Sequence, residues 1–375
     1  MAKTTGPLIY ALAIIYLASL ALRAWLSIRY AASVPEIPRE PPAANSLTIA
    51  QAILSGDPLL ESRLAANLCA LPGQRFLWLI DEDDTEARRI ADEIKTPDVE
   101  VILCTPCADA TNPKLWKLQR AAELAQTPFF CVLDDDTTLS SESAAALIEA
   151  AKTATVATGL PCYQDGGDVA GGLLAQFVNN NSVFTYLGTS SLLAPFTLNG
   201  MGYVLRREEL ARIDHFKPIL HELTDDLALA TLVLKQGGSI HQAKAPLRLR
   251  TDVKNLRHTM QLMHRWYVFT LLLLKRQRIP VQMLIFALHG LPPMLLVTLC
   301  VLHDLPVLGV VLLLRFFILW DMHARFFGER LHRPFLSVLS ELMQPVHLLH
   351  AVCSRTIRWR TRRYHVRDTH DFSAV

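Results

Sequence analysis

Residues Pro7 to Ile28, PLIYALAIIYLASLALRAWLSI, leave this chain few choices, because they form an apolar run as long as the ~20 residues that cross a bilayer as a helix. Arg23 sits near one end, where its guanidinium can reach the interface. A leader peptide would show a shorter apolar core followed by small residues at a cleavage site. Arg23, Trp25 and Arg29 stand there instead, so the run reads as a retained anchor.

A second apolar region follows far downstream. Val281 to Leu302 and Leu305 to Trp320 are broken only by His303-Asp304, which predicts a helical hairpin, kinked or locally hydrated at Pro292-Pro293 and Arg315. Lys275, Arg276 and Arg278 precede the hairpin, and Arg325, Arg330 and Arg333 follow it. Basic flanks at both ends place those ends in the cytoplasm. The first anchor has only Lys3 ahead of it and Arg23, Arg29 and Arg39 at or after its end, so it runs from outside to inside. Everything between the anchor and the hairpin is then expected in the cytoplasm, of a bacterial inner membrane in preference to the Golgi. Seven scattered cysteines, an odd number, fit such a reducing compartment. Two further segments, Asn255 to Leu274 and Phe335 to Arg358, are amphipathic with basic or His-rich positions. They read as interfacial helices on the leaflet, or as core or spanning helices.

Between the apolar regions the pattern changes. After a Pro-rich linker (Pro35, Pro38, Pro41, Pro42), strand-length runs such as Phe76 to Ile80, Val99 to Leu103 and Phe129 to Leu133 alternate with helical segments such as Pro58 to Leu71 and Thr85 to Ile94. That alternation predicts an α/β domain with a largely parallel sheet and its ligands at the strand C-terminal ends. With 51% hydrophobic and 19% charged residues the chain is too apolar to be disordered. Its 37 basic and 35 acidic side chains give a net charge of +2, which offers little support for nucleic-acid binding. The basic residues gather in the tail, from Arg355 to Arg367, and suggest a foot on the membrane surface.

The acidic residues gather in the middle. Asp81-Glu82-Asp83-Asp84 and Asp134-Asp135-Asp136 each follow a predicted strand. Three adjacent carboxylates repel one another, and a hard divalent cation with oxygen ligands would relieve that repulsion; Asp134-x-Asp136 has the DxD spacing by which nucleotide-sugar glycosyltransferases hold Mg2+ or Mn2+. A solvated acidic turn capping the next helix would look the same. Asp225-Asp226 opens a predicted helix, Leu227 to Lys235, where a carboxylate can serve as a general base or simply suit the helix dipole. His264-Arg265-Trp266 offers a cation and a flat aromatic face, for a pyrophosphate or as an interfacial anchor. Cys104 and Cys107 form a CxxC pair without further ligands nearby, and no P-loop, GxGxxG, GxSxG or HExxH element occurs.

Taken in order, these residues resemble the ceramide glucosyltransferase family and its bacterial relatives, including hopanoid-associated glycosyltransferases. The likeness starts with Gly56-Asp57-Pro58, Leu64 and Asn67-Leu68, and continues through Asp84, Asn112-Pro113-Lys114 with Leu118, and Asp134. Gly159-Leu160-Pro161, Gly200-Met201, Asp225-Asp226 and Arg265-Trp266 then fall in family order, and the tail adds Pro345-x-His347, Trp359-Arg360-Thr361 and Tyr364. It spans roughly Leu47 to Arg367. Three departures stand out. Leu262 occupies the place of Gln or Arg in the (Gln/Arg)-x-x-Arg-Trp motif, with Gln261 one position early. Asp225 replaces Glu, and Ile49 to Ser55 lacks a lysine-rich approach.

The resemblance implies a GT-A, nucleotide-diphospho-sugar transferase fold. It implies residues 1–30 as the transmembrane anchor, 31–46 as linker, 47–252 as the cytosolic catalytic domain, and 253–280 as an interfacial helix carrying Arg-Trp. Residues 281–322 become the membrane hairpin and 323–375 an interfacial region with a basic tail. Asp84, Lys114, Asp134, Arg265 and Trp266 would bind the UDP-sugar donor, Asp134 and Asp136 the Mg2+ or Mn2+, and Asp226 would be the catalytic base. The implied reaction is inverting transfer of a glucose-type sugar from a UDP-sugar to the hydroxyl of a membrane lipid such as ceramide. N-acetylglucosaminyl transfer to a hopanoid or other polycyclic lipid is an alternative, and an inactive lipid-binding scaffold is another of a different class.

Overall fold

The computed structural model describes residues 5–36, 38, 40–108, 111–250, 253, 255–359, 362–368 and 372–374. Lys3, Arg39, Arg360 and Thr361 lie outside the described residues, as do the side chains of Trp359, Arg362, Arg363 and Tyr364. Two compact units emerge. A sheet unit comprises Ser33–Cys162 and Ala194–Arg250, and a helical unit comprises Met1–Ala32, Tyr163–Leu193 and Thr251–Val375.

The chain opens with α1 (Thr5–Ser33). It continues through β1 (Leu47–Ile53), α2 (Leu60–Ala70), β2 (Arg75–Asp81), α3 (Thr85–Ile94), β3 (Val99–Cys104), α4 (Pro113–Leu124), β4 (Phe129–Leu133), β5 (Thr138–Leu139), α5 (Ser141–Thr153) and β6 (Val156–Gln164). After α6 (Val169–Ser182) come β7 (Gly202–Arg206), α7 (Arg207–Arg212), α8 (Asp225–Lys235) and β8 (Ile240–Arg250). The last part holds α9 (Leu256–Lys275), α10 (Ile279–Ile285), α11 (Leu291–Leu302), α12 (Leu305–Phe327), α13 (Pro334–Cys353), β9 (Thr356–Trp359), β10 (Arg362–Val366) and β11 (Phe372–Ala374).

The eight-stranded sheet has the order β3-β2-β1-β4-β7-β6-β8-β5. Its first four strands pair in parallel, while β4–β7, β7–β6 and β5–β8 are antiparallel, so the expected parallel character holds for the βα half of the sheet. β2 is buried along Phe76-Leu77-Trp78-Leu79-Ile80, as a strand covered on both faces must be. The buried Trp78 indole donates to Gln51 Oε1 of its register partner at 3.0 Å. The chain lays β1, β2 and β3 outward in one direction and then returns to place β4 on the other side of β1. This reversal opens a crevice at the C-terminal ends of β1 and β4, where open α/β sheets take their ligands. Leu77, Leu79, Phe130, Tyr203 and Leu229 belong to the core that holds these strands rigid.

In the helical unit, α1 is one continuous helix, and Tyr16, Ile9 and Ala13 pack against Leu295, Leu296 and Leu299 of α11 and Val311 of α12. Three helical stretches, Gly6–Ser33, Ile279–Leu302 and Leu305–Phe327, are long and apolar enough to cross a membrane. His303, at φ 56°, and Asp304, which caps α12 by accepting from the Val307 amide at 3.2 Å, form the turn expected between the last two. The first arm of the hairpin is interrupted by a π-helical turn, Phe286–Gly290, just ahead of Pro292-Pro293; without an amide hydrogen, proline cannot continue the regular ladder. The helix expected from Phe335 to Arg358 stops at Cys353. Arg358 lies instead on β9, which pairs with β10 and β11 in a small antiparallel sheet.

Candidate active site

At the crevice, two consecutive amides after β1 hold two acidic clusters. The Leu54 amide donates to Asp135 Oδ2 and the Ser55 amide to Asp84 Oδ2, each at 2.9 Å. Asp84 also caps α3, accepting from the Ala87 amide through Oδ1 at 3.0 Å, so the capping role and the site role fall on one carboxylate. Burial works against its charge, but the Ser55 and Ala87 amides outweigh it and hold Asp84 below the ordinary carboxylate range.

Asp134, Asp135 and Asp136 turn out of β4, with the Thr137 amide donating back to Asp134 O at 3.1 Å. The Asp134 amide donates to Met201 O at 2.9 Å, which fastens the turn to the loop before β7. From α2, buried Asn67 donates to Thr137 O and accepts from the Leu139 amide, both at 2.9 Å, so the chain leaving the acidic turn is fixed on both sides.

Lys114 joins the second and third acidic positions. Its Nζ lies 2.7 Å from Asp134 Oδ1 and 2.7 Å from Asp225 Oδ2. Burial opposes its charge, and the two carboxylates keep it protonated well above the ordinary lysine range. Asn112 and Pro113 account for its placement. Asn112 caps α4 by accepting from the amides of Lys114 and Leu115, Pro113 occupies the first turn, and Asn112 Nδ2 reaches Glu222 O at 3.0 Å and Leu223 O at 3.2 Å. The Asn-Pro-Lys stretch thereby ties the start of α4 to the loop that delivers Asp225 and Asp226.

Asp226 sits in the first turn of α8, and its Oδ1 accepts from the Leu227 amide at 2.7 Å. Gly200 leaves room for it, since a Cβ at that position would stand 3.2 Å from Asp226 Oδ2. Burial first, and then the adjacent Asp225, push the Asp226 carboxyl up to about 7. Burial also raises Asp134 and Asp136, helped by Asp136 and Asp225 at Asp134 and by Asp135 at Asp136. Tyr203 of β7 is buried beside this cluster, and its hydroxyl has no hydrogen-bond partner among the described residues. Burial and then Asp225 hold its phenol neutral.

Among the described residues, no three His, Cys, Asp or Glu side chains converge as a protein-only metal cage would. The donor set instead fits an ion held through one or two carboxylates and completed by substrate phosphates, the usual arrangement for Mg2+. Asp134 and Asp136 supply hard oxygen ligands whose raised protonation is what a bound cation would reverse.

The structure brings Lys114, Asp134 and Asp225 into one ion-paired group, with Asp226 next in sequence. Arg265 and Trp266 belong to the helical unit and diverge from each other. Arg265 lines a cavity of about 420 Å3 together with Asn255, Arg257, His258, Gln261, Leu262 and Arg358. Gln261 is one helical turn before Arg265, so the displaced glutamine still shares its face. Trp266 packs edge-on to Tyr163 at 6.2 Å and stacks on Phe177 at 6.4 Å. Sequence reasoning missed Asn112, Gly200 and Tyr203 as parts of the site. The Asn-Pro pair does signal a helix start, but nothing local signals the bonds from Asn112 to Glu222 and Leu223.

The half-parallel sheet carries carboxylates at its switch point, with the acid-bearing start of α8 beside them, and the comparisons with known proteins identify the chain as a glycosyltransferase with a GT-A-like fold. The chain belongs to glycosyl transferase family 21, which it matches over residues 8–371. Its fold is also that of a mannosyltransferase from Pyrobaculum calidifontis, solved in complex with GDP-Man and Mn2+. That protein is 14% identical, with a TM-score of 0.53 over 92% of this chain and 96% of that one. No curated protein matches the sequence significantly.

Proposed function

We propose that this glycosyltransferase moves a glucose-type sugar from a UDP-sugar to the hydroxyl of a membrane lipid such as ceramide, with inversion at the anomeric carbon. The observation that carries the reading is the Lys114 bridge, which couples the DxD carboxylate Asp134 to the Asp225-Asp226 pair. Asp226, with its affinity for a proton raised to the neutral range, is suited to take the hydroxyl proton as the oxygen attacks. Asp84 faces the uridine, and Asp134 and Asp136 are the residues to hold Mg2+ or Mn2+. When bound, the ion supplies positive charge to the departing diphosphate. Lys114 keeps Asp134 and Asp225 from repelling each other and so holds the geometry of both. Arg265 and Trp266 keep the donor-binding role that the resemblance implies, a separate element of the reading.

A lipid acceptor is supported by the three stretches able to cross a membrane. The donor is water-soluble and the acceptor is not, so the hydroxyl must be met at headgroup level. The sequence divisions are part of this proposal: anchor, cytosolic catalytic domain, interfacial helix, hairpin and C-terminal tail, with the catalytic domain on the side of the basic flanks.

The deciding experiment is UDP release by the detergent-solubilised protein, crossing a panel of UDP-sugars with ceramide, diacylglycerol and hopanoid acceptors, beside Asp226→Asn. Release that depends on the acceptor and disappears in the variant is expected. Release that persists in a folded Asp226→Asn protein would remove Asp226 as the base, and GDP release from an added GDP-sugar, with no UDP release from any UDP-sugar, would overturn the donor.

A further inference from the structure

We propose that α13 is a membrane-embedded helix turned inside out, with its outward apolar face resting on lipid acyl chains. This rests on the reading that α1 and the α10–α12 hairpin lie in the bilayer.

The two faces of α13 are reversed from those of a water-exposed helix. Ser337, Ser340, Glu341, Gln344 and His347 recur every three or four residues, form one stripe and are all buried, Ser337 at 0% and Glu341 at 8% exposure. The opposite face holds Phe335 at 90% and Leu349 at 65%, with Leu339 and Val346 between them. In water, such an arrangement exposes apolar surface at about 25 cal/mol per Å2 while desolvating hydroxyl, amide and carboxylate groups. In hydrocarbon the first penalty vanishes, because acyl chains are as apolar as leucine, and the second changes sign.

Two members of the inward stripe, Glu341 and Ser337, are met by other helices of the same unit. Glu341 accepts from Tyr16 Oη at 3.1 and 3.2 Å and from Arg315 Nε at 2.8 Å. Arg315 Nη2 donates to Ser337 O at 3.1 Å, and Asn180 Nδ2 of α6 donates to Ser337 Oγ at 2.8 Å. A carboxylate and a guanidinium paired in this way can be kept away from water.

Continuity favours lipid over a second protein as the occupant. Leu342 packs into the same apolar cluster as α1, α11 and α12, and those helices also turn Tyr10, Ile14, Val301, Val310 and Phe317 outward. A belt running over four helices suits acyl chains better than a single pairwise interface. Mean hydropathy overlooks α13 because it averages the buried polar stripe with the apolar face, and the helix is not among the three stretches long and apolar enough to cross a membrane.

The test is spin labelling of the full-length chain in liposomes, in a background with its native cysteines replaced. Single labels at Leu339, Val346 and Leu349 are compared with Val310 on α12 for collision with oxygen and with a water-soluble nickel chelate. Oxygen should exceed the chelate severalfold at all four positions. Chelate access on α13, with oxygen preferred at Val310, would overturn the proposal and leave the hairpin reading intact. Exclusion of both reagents from α13 would show a protein-covered face and equally overturn it. Chelate access at Val310 as well would remove the membrane reading on which the proposal rests. Should the substituted background lose the fold, Leu349→Trp in the natural chain reads the same contact: brominated acyl chains should quench it beyond the unsubstituted protein, and no added quenching would count against the proposal.

Discussion

Gly200 faces Asp226 so closely that a methyl group at position 200 would stand 3.2 Å from the carboxylate Oδ2 and 3.4 Å from Cβ. The glycine sets where the proposed base sits. In Gly200→Ala the carboxylate must give by a few tenths of an ångström, and displacements of about 1 Å can cost ~100-fold in rate. We expect kcat to fall roughly tenfold with little change in donor KM or in melting temperature. A variant that melts many degrees lower would show that Gly200 serves folding instead.

The Lys114 bridge makes a different prediction. Lys114→Met keeps the stem and removes the charge, leaving Asp134 and Asp225 to repel each other. The three side chains are 24%, 30% and 14% exposed, so solvent screens part of the loss, and about 1–3 kcal/mol of destabilisation is expected. Asp134, which burial raises to about 6, takes up a proton on acidification and relieves the repulsion, so the deficit should shrink as pH falls from 8 to 5. Denaturant melts at the two pH values measure this, and a deficit that does not vary with pH would place the loss in packing of the lysine stem.

How much of this was legible beforehand differs by kind of interaction. The strand Phe129 to Leu133, the helix Thr85 to Ile94 and the turn at His303-Asp304 were readable because apolar spacing and capping are local signals. The tail was not. Phe335 to Arg358 carries a helical pattern throughout, yet the helix ends at Cys353 because the following residues pair with β10, a partner no periodicity reveals. At the site, the acidic positions announced themselves by their mutual repulsion, whereas the role of Lys114 depends on α4 meeting the loop before α8. Trp266 packs against Tyr163 and Phe177, contacts the sequence does not announce, since an aromatic on a helix carries no sign of which neighbour it will meet.

The Asp226 carboxyl, pushed up to about 7, predicts how pH acts on rate and on stability in opposite senses. A base must be ionised, so kcat should rise with pH through about 7 and level off above it. For stability, the folded form holds the proton more tightly than the unfolded chain, so the favourable contribution is complete below the unfolded value near 4 and is lost as pH climbs through about 7. Asp226→Asn cannot ionise and should therefore gain on the unsubstituted protein in melting temperature as pH rises from 5 to 8, measured with a chelator present. A constant difference over that range would mean that Asp226 is not held protonated in the folded protein.

Donor and cation should stabilise the protein together. Asp134 and Asp136 repel each other, and a cation alone finds too few ligands, since no third acidic, His or Cys side chain converges with them among the described residues. On the proposed reading, the diphosphate of UDP would complete the set. Mn2+ or UDP alone should then move the melting temperature little, while both at 100-fold above their joint dissociation constant contribute about 2.7 kcal/mol, a shift of a few degrees. Asp136→Asn should abolish the joint shift while leaving the unliganded melt unchanged or slightly higher, because one member of the repelling pair is gone. An equal shift with UDP and a chelator would show that the nucleotide binds without the ion and that Asp136 has another role.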